Sequence, residues 1–347
     1  MPDNDEIFED IVTRQVLSMR LDAKIREDIL KDLKKLEKKI IQEISDSDPS
    51  GQSFRSKRLN ALLKSVRVLI EDAYEEISEN FKESVVEFIR LEALKTEKVL
   101  ASTVQVSTTA ISVEKLKQIY SDTLINGAPS SEWWNRQSEK TRQLFEDNMR
   151  EGLLRGETNE ELIRRVRGSK AFKFSDGIFN TSRKEAEALV RTSVQSVANA
   201  ARLSTFDAND DIISSYRHIS TLDSKTSDTC IARDGLRWKA DKKRTPIGHK
   251  IPFRQPPLHW NCRSTIIPEI EGVNLLDNAE RASVDGPVKA SITFDEFLKS
   301  KTKGFQDDLL GKGKAELWRK KKITLRQLVD QSGNPLTLAE LKSKYDK

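Results

Sequence analysis

The chain has 347 residues, of which 36% are hydrophobic, 33% charged and 6% aromatic, with a formal net charge of +5. This length admits two or three compact domains, and the composition suits long solvated helices better than one large core. No run of about 18 apolar residues occurs, so no transmembrane helix is expected. The acidic start, MPDNDEIFED, has neither a basic nor an apolar signal region, and two cysteines do not make a disulfide framework.

In chain order, Ile25, Ile29, Leu33, Leu36, Ile40 and Ile44 recur at helical spacing and predict one buried stripe. Pro49 and Gly51 break it. A second stripe follows at Leu59, Leu62, Val66, Leu69, Ala73, Ile77, Phe81, Val85 and Phe88. Two matched stripes across a short turn predict an antiparallel helical hairpin. Residues 101–112 read as an extended linker. Helices are then expected over about 113–125, stopped by Asn126-Gly127, and from Pro129 to Gly156. Thr158 and Glu161 form a capping box that opens a short helix ending at Gly168. A loop with Phe172, Phe174 and Phe179 precedes a helix over about 182–207, whose small apolar face (Ala186, Val190, Val194, Val197, Ala201) suits a deep core.

The pattern changes at Asp211. Residues 212–220, 235–239 and 264–268 read as strands, with 241–258 a loop. A polar linker is expected over 271–291, after which helical spacing returns. Charge is uneven: residues 299–347 hold 13 Lys/Arg and 6 Asp/Glu, whereas residues 1–298 hold 47 and 49. A cationic tail can approach phosphates or an acidic protein surface.

The fold class expected is mainly α with a small α+β module. An N-terminal helical hairpin and linker (1–110) precedes a helical domain (111–210). A loop-rich, β-rich Cys/His module (211–270) and a linker with a basic helical segment (271–347) follow.

Candidate chemistry concentrates in the third part. His259 and Cys262 stand three apart in HWNC, and Cys230 lies upstream. A small, loop-rich module needs a staple. Zinc on Cys230, His259 and Cys262 would supply one, with the fourth ligand from His218, Asp223, Asp228 or His249. Asp223 and Asp228 share a loop with Cys230 and reach most cheaply. A Cys230–Cys262 disulfide, or two inert buried thiols, would account for the same pattern.

No enzyme is expected. The His-x-Glu and Pro-Cys-x-x-Cys pair of zinc deaminases is missing, as is His-Glu-x-x-His. The run Gly311-Lys312-Gly313-Lys314 does not have phosphate-loop spacing. Cys262 with His259 could form a nucleophile pair, but the sequence shows no orienting partner.

The run STLDSKTSDTCIARDGLRW with PPLHWNCRSTIIP resembles the phage Mu protein F-like, or SPP1 gp7-like, family of minor head proteins. The likeness extends to SSEWWNRQSEKTRQLFEDNMREGLLRGETNEELIRRVRG, to AEALVRTSVQSVANAAR with Arg191-Thr192 and Asn199 to Arg202, and to the segment after Thr293, covering about 130–340. It implies a head morphogenesis protein that enters the procapsid in few copies near the portal and assists assembly or DNA packaging and ejection. Portal or major capsid protein would be its partner and non-specific DNA a further one, without a membrane. Its place would be the virion, and the host cytoplasm during assembly. Many relatives carry further cysteines where this chain has Arg233 and Ser264, which leaves the four-ligand site incomplete.

Overall fold

The computed structural model describes residues 4–51, 55–104, 107–270 and 279–345. It is mainly helical with a small antiparallel sheet. Two compact units are distinguished: one of residues 1–18, 88–119 and 195–347, the other of 19–87 and 120–194.

Helices α1 (Asn4–Ser47) and α2 (Arg55–Val104) form the expected hairpin. Arg14 meets Glu92 and Thr96, while Glu43 meets Ser65, the reciprocal order of antiparallel partners. The six predicted apolar positions of α1 are all buried. On α2 the deepest line is Leu62, Val66, Ile70, Tyr74, Ile77, Phe81, Val85 and Ile89. Leu69, Ala73 and Phe88 are half-buried on its flank. The apolar face is therefore wider than the single stripe read from spacing. The expected linker at 101–112 begins later, because α2 runs to Val104.

Helix α3 (Val113–Asp122) is followed by a turn in which Asn126 and Gly127 have φ of 47° and 89°. Such left-handed values suit this residue pair. Helices α4 (Ser130–Leu154) and α5 (Asn159–Arg167) follow. The Thr158 hydroxyl accepts from the Glu161 amide, and Glu161 accepts from the Thr158 amide at 2.8 Å. Phe81 meets Trp134 edge-on at 5.6 Å in the core of the unit of 19–87 and 120–194. The Tyr74 and Ser182 hydroxyls both bond to Thr141. Helix α6 (Ile178–Asp207) starts four residues earlier than its spacing suggested, and buries Phe179 while Phe172 and Phe174 stay exposed.

The other unit carries the sheet. Strands β1 (Ile213–Ile219), β2 (Arg237–Lys239), β3 (Pro246–Ile247) and β4 (Thr265–Ile270) pair antiparallel in the order β3-β2-β1-β4. β3 and the short helix α7 (Asp228–Arg233) lie in stretches where only loop was expected. The expected linker at 271–291 is corrected in its second half. Residues 271–278 lie outside those described, but β5 (Glu280–Ser283) and β6 (Gly286–Lys289) form a hairpin closed by Gly286 at φ 100°. A parallel bridge from Leu222 to Ser283 ties this hairpin to the Cys230 loop.

The basic C-terminal segment is not a loose tail. Helices α8 (Phe294–Lys299), α9 (Lys303–Leu310), α10 (Lys312–Arg319) and α11 (Leu338–Tyr345) are short and locally delimited; a capping box at Thr293 opens α8, and another at Thr324 opens a 3-10 turn over Leu325–Leu328. Leu298, Ala315, Leu317, Leu328 and Leu341 join Leu222, Ile231, Leu236 and Trp238 in one buried apolar cluster. Lys299, Lys301, Lys314, Arg319 and Lys320 pair with carboxylates. Three of these five pairs use carboxylates from outside the segment, Asp295, Asp285 and Asp228, so part of the positive excess counted in sequence is neutralised within the fold.

Candidate metal centre

Ser227 caps α7 and accepts a hydrogen bond from the Cys230 amide. This directs Cys230 inward, at 1% exposure. The second arm is the turn His259–Cys262, in which the Cys262 amide bonds the His259 carbonyl at 3.2 Å. Asn261 takes φ 60° there, a left-handed value that asparagine tolerates. The turn sets His259 and Cys262 on one side, facing Cys230.

The three ligand atoms lie within 4.8 Å of one another, and they are the one such group found among the described residues. Cys230 Sγ is 3.3 Å from His259 Nε2 and 3.6 Å from Cys262 Sγ. Both thiols are free, and their separation exceeds the bond of a disulfide, about 2.05 Å. His259 Nδ1 donates to the Trp260 carbonyl at 2.9 Å. That bond fixes the tautomer and turns the Nε2 lone pair toward the sulfurs, as in a metal-binding histidine.

These residues fit zinc in type and spacing. Tetrahedral zinc with Zn–S of about 2.3 Å and Zn–N of about 2.0 Å has S···S edges of about 3.8 Å and S···N edges of about 3.5 Å. The observed separations lie close to both.

Without a metal, the groups bias one another. Hydrogen bonding from Cys230, then from His259, holds the Cys262 thiol well below the usual range. The bond to Cys262, together with burial, pushes Cys230 well above it. The Cys262 bond raises His259. A lowered thiol beside an imidazole is the make-up of a nucleophile pair, yet both cysteines are 1% exposed.

The other candidates are placed elsewhere. Asp223 receives a two-pronged grip from Arg263, 2.7 Å on one side, and also accepts from the Lys225 amide. Asp228 pairs with Lys314 at 2.6 Å. His249 Nε2 bonds the Arg237 carbonyl and its ring stands edge-on to Trp238. His218 is fully buried, with neither ring nitrogen hydrogen-bonded, and burial pushes it down to about 4. None of the four joins the group of three. Ser227, whose Oγ lies 2.8 Å from His259 Nε2, is the polar neighbour that spacing did not single out. Its signal was present as a helix N-cap three residues before Cys230. Arg233 is buried against the Pro252 carbonyl, and Ser264 touches Ser220.

A buried polar network holds the strand that follows Cys262. Asn199 donates to the Ser264 carbonyl, Gln15 to the Arg263 carbonyl, and Arg202 to the Thr265 hydroxyl. Glu92 receives both Arg202 and Arg14. Sequence reading named Asn199 and Arg202 only through family likeness, since partners more than 60 positions away leave no local pattern.

Residues 143–267 match the family model described as Phage Mu protein F like protein. The stretch contains α5, α6, β1, α7, β2 and β3 and all three Cys/His ligands. No curated protein and no solved structure matches the chain.

Proposed function

We propose, from the membership of residues 143–267 in the phage Mu protein F-like family, that this chain is a minor head protein of a phage. It enters the procapsid in few copies near the portal, contacts portal or major capsid protein, and assists assembly and DNA packaging or ejection. Its setting is the virion, and the host cytoplasm during assembly. The family match carries the reading. The buried Cys/His clasp supports it, because sulfurs closed off from solvent suit a rigid docking module better than turnover. In this reading the chain is not an enzyme, and a zinc ion on Cys230, His259 and Cys262 would cross-link the α7 loop to the His259 turn, its fourth position filled from outside this group of three.

The test is a reconstruction of purified procapsids without imposed icosahedral symmetry, together with their protein composition. Density for this chain at one vertex is the expected result. Procapsids that assemble and package normally without the chain would overturn it.

A second reading, direct contact with DNA, rests on one cavity. It measures about 770 Å³ and is lined by His249, Lys250, Arg326, Asp330, Lys344 and Tyr345, among others. Three cations, Lys250, Arg326 and Lys344, face one carboxylate, Asp330. Phosphates would pair with these cations without base readout. Three neutralised phosphates give a log–log salt slope near −2.7, by about −0.9 per phosphate. In a fluorescence titration with duplex DNA, Lys250→Glu, Arg326→Glu and Lys344→Glu together should remove that slope. An unchanged slope would exclude the cavity.

A further inference from the structure

Between α5 and α6 the chain makes a tight knuckle that carries two solvent-exposed phenylalanines at its tip. Phe172 is 65% exposed and Phe174 40% exposed. Exposed phenylalanines on a floppy loop would collapse onto the nearest apolar surface, but this loop is braced. Asp176 accepts from the Ser169 amide at 2.8 Å and from its hydroxyl at 2.9 Å. The Phe174 amide returns to the Ser169 carbonyl at 2.8 Å, and the Ser175 amide to the Phe172 carbonyl at 3.0 Å.

The base of the knuckle is closed at Gly177, where a Cβ would meet the Arg167 carbonyl carbon at 2.5 Å. At the tip, Lys173 and Phe174 both take left-handed backbone values, φ 51° and 61°. A bulky residue there is strained, and such strain persists only where surrounding bonds impose it. The fold therefore expends stability to hold two aromatic rings outward. Around them, Arg164, Arg167, Lys170 and Lys173 are exposed, and none forms an ion pair among the described residues.

We propose that this knuckle is a docking element that inserts Phe172 and Phe174 into an apolar pocket with an acidic rim on another protein subunit of the head. Rigid aromatic anchors surrounded by charge are the usual make-up of an interface hot spot, and the four cations fix the sign of the partner's rim. The proposal deepens the head-protein reading and rests on it for the identity of the partner's setting.

The experiment measures how much of the chain is retained in purified procapsids, comparing the wild type with Phe172→Ala/Phe174→Ala and with Lys170→Glu/Lys173→Glu. Both rings are exposed, so the thermal melting of the first variant should match the wild type. Retention should drop more than tenfold in the first variant and several-fold in the second, the latter being mimicked in the wild type by raised salt. Wild-type chain absent from procapsids would refute the head-protein reading itself. Wild type retained, and the phenylalanine variant retained equally, would refute the knuckle alone. Two controls expose a wrong occupant. Sedimentation in which the variant turns an oligomer into a monomer would replace the partner with a second copy of this chain. Flotation with phosphatidylglycerol-containing vesicles that the variant abolishes would replace it with a membrane. Either result overturns the proposal as stated.

Discussion

Arg281 grips Asp234 through two hydrogen bonds, 3.0 and 2.6 Å long, with both side chains 3% exposed. Arg281 also donates to the Ser220 and Ile292 carbonyls, and Asp234 accepts from the Ser220 amide. One buried pair therefore joins the turn after α7, the end of β1 and the β5–β6 hairpin. Removing one partner leaves an uncompensated buried charge, which costs about 3–5 kcal/mol. Arg281→Ala should destabilise the chain by that amount in urea unfolding. Arg281→Met with Asp234→Leu should recover much of it. A loss below about 1 kcal/mol in the single variant would show that the pair is not structural.

Metal content gives the second prediction. Purified under reducing conditions, the chain should carry one zinc, and Cys230→Ser, His259→Ala and Cys262→Ser should each lose it. Ligand loss should raise protease sensitivity in 220–268, since metal-coupled folding energy is local to the loops it joins. With zinc bound, a thiol reagent should report no reactive cysteine until a chelator is added. Metal-free protein with unchanged protease resistance would leave two buried thiols as the better account.

His218 supplies a pH dependence. Burial lowers it from the ordinary 6.5 to about 4. Between these values the unfolded chain binds a proton that the folded chain refuses, so stability rises with pH. The contribution is complete above 6.5 and is lost as pH falls toward 4, by about 3 kcal/mol at most. Measured on metal-free protein, to keep zinc release out of the signal, His218→Leu should flatten unfolding free energy against pH in that window. A wild-type profile already flat there would contradict the burial of the ring.

The Glu92 network gives the fourth. Glu92 lies 3% exposed between Arg14 and Arg202, with Arg14 Nη1 at 2.6 Å. Glu92→Ala leaves the buried Arg202 guanidinium without a carboxylate, while Arg14 keeps Asp10, and should cost about 3–5 kcal/mol. Because Arg202 and Asn199 hold residues 264–265, the same change should weaken zinc retention. Arg14→Met should weaken it less. Equal zinc affinity in wild type and Glu92→Ala would show the network to be independent of the site.

Elements with strong local signals were legible in the sequence. The helical hairpin, the Thr158 capping box and the small-residue face of α6 all follow from periodicity or capping within a few residues. The Cys230, His259 and Cys262 grouping was legible because so few soft ligands occur in the chain. What escaped was short or non-local. α7 spans six residues and β3 two, too few for a period. The β5–β6 hairpin is polar on its surface, and its one buried charge, Arg281, is readable only with Asp234 beside it. Charge counting made residues 299–347 a cationic tail. It could not see that acidic partners such as Asp228 and Asp285 lie far upstream in the chain. Asp223 was a cheap ligand by loop length, but Arg263 engages it.

The apolar cluster shared by Leu222, Ile231, Leu236 and Trp238 with Leu317, Leu328 and Leu341 sets where the chain can be cut. A recombinant fragment ending near residue 298 would leave the first group facing water and should be recovered as aggregate. Any excised Cys/His piece must keep everything through α11, and the role of the basic residues has to be probed by reversing single charges in the intact chain.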